Sequence, residues 1–255
     1  VADMLVGLSQ IAVERNDLAE ATAHLERVAA MGEGLGLPQN PYRWRVARAR
    51  LREAEGDLAG AVDLLEEAER VYVGDYSPDV SPVAARRARV LVAQGRLDEA
   101  LDWARALKLT PEDDLSYVRE YEHLTLARIL LHQQDASGTA RATAHGLLDR
   151  LRIAAEEGGR SGTLIEILAL QALAATARAG RRDVRGGLDS LERALRLAEP
   201  EGYVRIFVGE GAPMADLLGA LVQRDRSWRY PRRLLDAFEG ATAEPGHQGL
   251  VDRLS

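Results

Sequence analysis

The sequence predicts an all-α fold, a solenoid of about five helical hairpins closed by C-terminal capping helices, and three observations carry that prediction. First, a junction recurs: Asn16-Asp17-Leu18 with Ala21 returns as Gly56-Asp57-Leu58 with Ala61 and as Gly95-Arg96-Leu97 with Ala100, at steps of 40 and 39 residues. Second, small residues keep fixed places around it. Ser9, Ala49 and Ala88 stand seven before each junction, and the pairs Leu25/Val28, Leu65/Ala68 and Ala104/Leu107 follow at spacings that share one helical face. Third, β-branched alternation appears only briefly, from Tyr203 to Val208, so no sheet is expected. A lone hairpin cannot bury its apolar face, so units that repeat in this way stack on their neighbours.

Three hairpins follow at 3–31, 41–73 and 82–109. Gly32, Gly34, Gly36 and Pro38 separate the first two, and Ser77, Pro78, Ser81 and Pro82 separate the second and third. Pro41 and Pro82 are placed to open helices. After Thr110-Pro111, a fourth unit at 116–158 is centred on Gln134, with Ala127 upstream and Ser137-Gly138-Thr139 as an insertion. Beyond Gly158-Gly159, a fifth at 162–199 is centred on Arg182, with Ala175, Gly187, Leu191 and Ala194 in place. Pro200, Gly202, Gly211 and Pro213 end the array. Residues 1–200 are thus the repeat array and 201–241 an irregular helical cap, with apolar-periodic segments from Met214 to Val222 and from Arg232 to Phe238. Residues 242–255 are a flexible linker.

Composition narrows the function classes. Hydrophobic residues at 46% and charged residues at 29% suit a folded chain of 255 residues. A net charge of −7 argues against a DNA- or RNA-binding surface. With no cysteine there is no disulfide, thiolate metal site or cysteine nucleophile. No apolar run is long enough to span a membrane and no signal peptide is evident, so a cytoplasmic location is expected. All but one of the 33 basic residues are arginine, Lys108 being the exception, a coding bias that lowers the weight of any recurring arginine.

The small and alanine positions around a Gly-Asp-Leu turn resemble tetratricopeptide (TPR) repeats, with a period near 39 in place of about 34. More specifically, LGLPQNPYRWRVARARLREAEGDLAGAVDLLEEAERVYVGDYSPDV, ARVLVAQGRLDEAL and SLERALRLAEPEGYVRIFVGEGAPMADLL resemble the sensor region of the large ATP-dependent LuxR-type, MalT-like regulators. The likeness runs over nearly the whole chain. It implies a helical superhelix set between an N-terminal nucleotide-binding module and a C-terminal helix-turn-helix domain, the latter approached by the final Gly249-Leu250-Val251-Asp252-Arg253-Leu254-Ser255. It also implies a small-molecule or protein inducer as partner, with self-association as part of switching. ATP is expected only in the separate N-terminal module: these residues carry no Gly-x-x-x-x-Gly-Lys-[Ser/Thr] loop and imply no cofactor of their own. DNA is contacted only through the helix-turn-helix domain. A stand-alone scaffold gripping a peptide or protein is the alternative.

Catalytic and metal sites find little support. His123 and His132, nine residues apart on one helix, point to opposite sides, and Glu120-Tyr121-Glu122-His123 supplies a single Glu-x-x-His spacing where a di-iron bundle needs two. Glu112-Asp113-Asp114 after Pro111 is expected to cap a helix start. Gly32-x-Gly34-x-Gly36 follows a helix and is a helix stop, not a nucleotide loop. No acid–base set suggests a hydrolase or lyase. The recurring feature is Arg50, Arg89 and Arg128, each six before its junction. In a TPR-like array that position faces the concave groove, where stacked guanidinium groups could fork onto a carboxylate or phosphate, although arginine stems also serve to cover apolar helix surface. Tyr121, seven before Arg128, lies near the same face and suits a sugar or planar ligand. Arg43 and Gln10 complete the candidate groove set, whereas Trp44, in line with Ala47, Leu51 and Ala54, is expected in the core.

Overall fold

Each of the first three hairpins turns over on a residue with positive φ: Asn16 at 63°, Gly56 at 84° and Gly95 at 75°. That left-handed residue ends the incoming helix in the same double bond each time. The amide of residue 17, 57 or 96 donates to the carbonyl of Ala12, Arg52 or Leu91, and the amide before it donates to Val13, Glu53 or Val92. Asp17 and Asp57 then start the next helix by accepting the amides of Glu20 and Gly60 at 3.0 and 2.9 Å. Arg96, in the third copy, makes no such cap. Asp57→Ala is therefore expected to cost about 1 kcal/mol in urea unfolding, and Arg96→Ala, which removes only exposed bonds to Glu99 and Gln94, much less.

The computed structural model describes residues 1–32, 36–74, 78–133, 137–176 and 183–242. Gln134 and Arg182, the centres of the two looser repeats, together with Gly34, Ser77 and residues 243–255, lie outside them. The helices pair in order: α1 (Ala2–Glu14) with α2 (Leu18–Met31), α3 (Asn40–Ala54) with α4 (Leu58–Val71), α5 (Val83–Ala93) with α6 (Leu97–Ala106), α7 (Glu120–His132) with α8 (Thr139–Glu157), and α9 (Ser161–Thr176) with α10 (Asp183–Ala198). Then come α11 (Arg205–Val208), α12 (Ala212–Arg224) and α13 (Arg229–Thr242). The fold is an all-helical, TPR-like solenoid, with no strand among the described residues and no helix there long and apolar enough to cross a membrane.

The recurring small residues are where helices meet. Ser9, Ala49, Ala88 and Ala127 on the first helices and Ala21, Ala61 and Ala100 on the second are all buried. The Ser9 hydroxyl donates to the Val6 carbonyl at 2.7 Å, so its burial leaves no unmet bond. The Trp44 indole is half-buried against the first hairpin and donates to the Leu25 carbonyl at 3.1 Å.

One segment differs from expectation, and another, where no sheet is expected and none forms, has an added role. Glu112-Asp113-Asp114 does not open a helix: α7 begins only at Glu120, after a 3-10 turn at Tyr117–Arg119. Asp113 instead reaches back to accept the Thr110 amide and hydroxyl at 3.2 and 2.6 Å, closing a turn that Lys108, with φ of 52°, has already bent. The Arg150 guanidinium donates to the carbonyls of Pro111 and Asp113 in that turn. The brief alternation from Tyr203 to Val208 becomes the single turn α11, and it does more than follow the last hairpin. The Val204 amide donates to the Glu14 carbonyl at 2.9 Å and the Ile206 amide to Glu14 Oε1 at 3.0 Å, so the row of first helices curves until the chain after the fifth hairpin meets the end of α1.

Candidate polar cluster on the concave side

That curvature identifies the side of the first helices as the concave one, and it brings side chains from three successive hairpins to one point. Arg89 projects from α5, Arg128 from α7 and Glu166 from α9. Only on an inward-curving wall can an α5 side chain reach α9 past α7. Glu166 Oε1 accepts Arg89 Nη1 at 2.7 Å, Arg128 Nε at 3.1 Å and Arg128 Nη2 at 3.0 Å. Arg128 Nη2 also pairs with Glu210 Oε1, just past α11, at 2.7 Å. The Arg89 guanidinium lies 3.6 Å from the centre of the Tyr121 ring, and its Nε donates to Thr125 Oγ1 at 2.9 Å. Thr125 in turn donates to the Tyr121 carbonyl at 2.8 Å.

Two guanidinium groups and two carboxylates, all largely buried, make the cluster neutral in sum. Burial pushes the Arg128 guanidinium toward losing its proton, but the Glu210 and Glu166 carboxylates outweigh it and hold its pKa above the ordinary value. Burial likewise works against ionised Glu166, and Arg89 and Arg128 overcome it, so its carboxyl titrates below the usual range.

Of the six residues singled out from the sequence, the structure joins three here: Arg89, Arg128 and Tyr121. Arg50 stands apart, its Nη2 3.3 Å from Glu14 Oε2. Burial raises the Glu14 carboxyl above its ordinary value despite Arg50 and the Ile206 amide. Burial also lowers the nearby Arg205 guanidinium, whose Nη1 donates to Asn16 Oδ1 at 3.2 Å. Arg43 lies close enough to Asp3 to favour its ionised form, and Gln10 is half-buried on α1. The sequence pattern missed Glu166, Glu210, Glu14 and Thr125. One signal was present: Glu166 is the lone charge in the apolar run of α9, SGTLIEILALQALAAT, and a charge in such a setting needs a partner.

Other polar groups are structural. His123 is fully buried, with Nδ1 2.9 Å from the Arg119 carbonyl and Nε2 3.4 Å from Asp113. His132 sits elsewhere, 2.9 Å from the Arg128 carbonyl. Buried Glu120 takes a forked pair from Arg160 at 2.5–3.1 Å, which locks the start of α7 to the start of α9. Among the described residues no group of three His, Asp or Glu side chains is placed to hold a metal ion. A second concavity, of about 380 Å³ between α3, α4 and α5, has Tyr42, Tyr72, Asp79 and Arg87 in its wall. Burial pushes the Tyr42 hydroxyl up to about 12. Arg87 there pairs with Glu66 and Glu69 at 3.5 and 3.6 Å, so the cleft offers no cluster comparable to the one around Glu166.

No curated protein matches the chain. The MalT-like TPR region family matches residues 1–224, which takes in all five hairpins, α11 and α12. With that match over most of its length, the chain belongs to the family of MalT-like TPR regions.

Proposed function

We propose that this region senses an effector for an ATP-dependent, LuxR-type transcription regulator in the cytoplasm, taking a small anionic inducer at the concave cluster. The observation that carries the proposal is the donor set of Arg89 and Arg128, converging within 3.1 Å on one carboxylate oxygen beside an aromatic face. The same forked geometry suits a ligand carboxylate or phosphate, and Tyr121 suits a sugar or planar group attached to it. Such an anion would take the place of Glu210 on Arg128. That exchange would release residues 203–210 from the inner wall and favour a different curvature, a population shift relayed to modules outside these residues. ATP and DNA would be bound by those modules.

The test is a thermal-shift screen of the 255-residue chain against phosphorylated and carboxylated metabolites. A ligand at 100 times its Kd is expected to add about 2.7 kcal/mol of stability. Arg89→Lys, which keeps the charge but loses the fork and the stacked plane, is expected to abolish most of that increment. An increment unchanged in Arg89→Lys, or normal induction of the intact regulator carrying it, refutes the site.

A second reading, a scaffold for a peptide or protein, draws on the segment already in place. Residues 203–210 lie along the inner wall with backbone amides bonded to Glu14 and Glu210 on Arg128, much as a short bound peptide would. A partner peptide, with no response to metabolites, would favour that reading.

A further inference from the structure

Nine residues before their junctions, α1, α3 and α7 carry the small side chains of Gly7, Ala47 and Thr125, whereas α5 carries the long cation Arg86. Packing at this register therefore does not call for an arginine, and a residue that breaks a local rule without a packing gain points to function. Arg86 stands one turn before Arg89 on the same helix, and its guanidinium carbon lies 5.3 Å from the centre of the Tyr121 ring that Arg89 covers at 3.6 Å. Its Nε donates to the Ser81 carbonyl at 3.2 Å, which fixes the plane of the group and leaves the Nη edge of the fork unused. Among the described residues Arg86 pairs with no carboxylate, whereas Arg89 and Arg128 share Glu166 and Arg128 also holds Glu210. Asp79 is near enough to act on the Tyr42 hydroxyl, as Arg86 is, but its carboxylate accepts the Ser81 amide at 3.2 Å.

Charge balance gives this arginine its weight. Exchanging Glu210 for a ligand carboxylate on Arg128 leaves the charge of the cluster as it was, so the exchange alone supplies little net attraction. With Arg86 included, three guanidinium groups face two carboxylates, and the excess charge sits on Arg86. We propose that the effector carries two acidic groups joined through a planar or sugar spacer, one replacing Glu210 on Arg128 and the other held by the open fork of Arg86, with the spacer passing the Tyr121 ring. The inference rests on the concave cluster being the effector site and narrows its ligand to bis-acids, such as ring dicarboxylates, sugar bisphosphates or carboxylated aryl phosphates. Arg86 supplies the attraction, through bidentate bonds to a phosphate or carboxylate, and the exchange at Arg128 supplies the switch.

Two probes test this in the 255-residue chain: para-carboxyphenyl phosphate, with an acidic group at each end of a ring, and phenyl phosphate, with one. Each is titrated at fixed ionic strength and followed by ligand-observed NMR. The bis-acid is expected to bind at least about tenfold more tightly than the mono-acid, and Arg86→Gln to remove at least about tenfold of its affinity. Arg86→Lys, which keeps the charge and loses the fork, should weaken it less. No ion pair is lost with Arg86, so Arg86→Gln should unfold at nearly the wild-type urea concentration. Arg105→Gln, which removes one exposed cation from α6, is the control and should leave binding unchanged. Equal affinity for the two probes overturns the proposal, as does an Arg86→Gln effect no larger than that of Arg105→Gln. Failure of the bis-acid to bind at millimolar concentration overturns it as well. If Arg89→Lys weakens the bis-acid and Arg86→Gln does not, Arg86 is refuted and the concave site stands; if neither variant weakens it, the concave site falls too.

Discussion

Glu166→Ala is expected to destabilise the protein by about 3–5 kcal/mol, the usual effect of removing one side of a buried ion pair and leaving the other uncompensated. A single oxygen of Glu166 accepts both Arg89 and Arg128, so its loss strands charge from two hairpins, with Glu210 the one carboxylate still paired to Arg128. Against a total stability of about 5–15 kcal/mol for an ordinary domain, the deficit should be plain in urea unfolding followed by circular dichroism. Because a repeat array unfolds through its nearest-neighbour interfaces, hydrogen exchange should rise first in α7 and α9. A quadruple variant with Glu166→Leu, Glu210→Leu, Arg89→Met and Arg128→Met, which leaves no charge of the cluster unpaired, separates the causes. Apolar replacement of a whole buried ion cluster is often neutral or better, so the quadruple variant should recover most of the loss. A loss below about 1 kcal/mol for Glu166→Ala would mean that the cluster behaves like a hydrated surface pair.

The same residue sets a pH dependence of known sign. The Glu166 pKa is lower in the folded state than its ordinary value of 4.5, so its stabilisation is present above that value and is lost as pH falls through the depressed folded pKa. Glu14 works the other way. Its folded pKa is raised, so its favourable contribution is present below 4.5 and is lost as pH rises through the folded value. The two partly cancel in the wild type, which makes the difference between wild type and Glu166→Gln the informative quantity, since Glu14 is present in both and Glu166 is a lesser influence on it than burial, Arg50, the Ile206 amide and Arg205. That difference is expected to be largest near neutrality and to shrink as pH falls below 4.5.

The hairpins were legible because their signals are local. A left-handed residue, an acidic cap and small residues at fixed offsets each act within one turn of helix, so Asn16-Asp17, Gly56-Asp57 and Ser9, Ala49 and Ala88 mark the repeat without reference to distant contacts. The arginine stripe was only half legible. The register that put Arg50, Arg89 and Arg128 on one wall says nothing about the acids that meet them. Glu14 ends a helix, Glu166 lies on α9 and Glu210 follows α11 in the irregular C-terminal region, so none of the three shares a repeat position with another. Their partners were fixed by curvature, a sum of small rotations between hairpins that no single repeat encodes. The acidic run at 112–114 was misplaced for a related reason: the unusual backbone at Lys108 bends the chain into a turn before any helix can start.

Curvature also underlies the other large effect expected, that of Phe207→Ala. Phe207 is fully buried in α11, the one-turn helix that ties the C-terminal helices to the end of α1. Truncating such a side chain costs about 3–5 kcal/mol where the cavity cannot collapse. Collapse is restricted here, because the segment is pinned on both sides. The Val204 and Ile206 amides hold it to Glu14, and the Tyr230 hydroxyl of α13 donates to the Tyr203 carbonyl, with Glu210 tied to Arg128 just beyond. Loss of the anchor should therefore appear far from residue 207. Amide exchange is expected to rise in α12 and α13 and in the last turn of α1, while α3 to α6, which pack on one another and on α1, α2 and α7 rather than on α11, keep wild-type protection. Glu210→Gln, which loosens the segment at one end but leaves the apolar anchor, should raise exchange only around 208–211 and at Arg128. If Phe207→Ala loosens α12 and α13 but leaves the end of α1 protected, the first helix is held by its own hairpin alone, and the segment from 203 to 210 is not what closes the row of first helices.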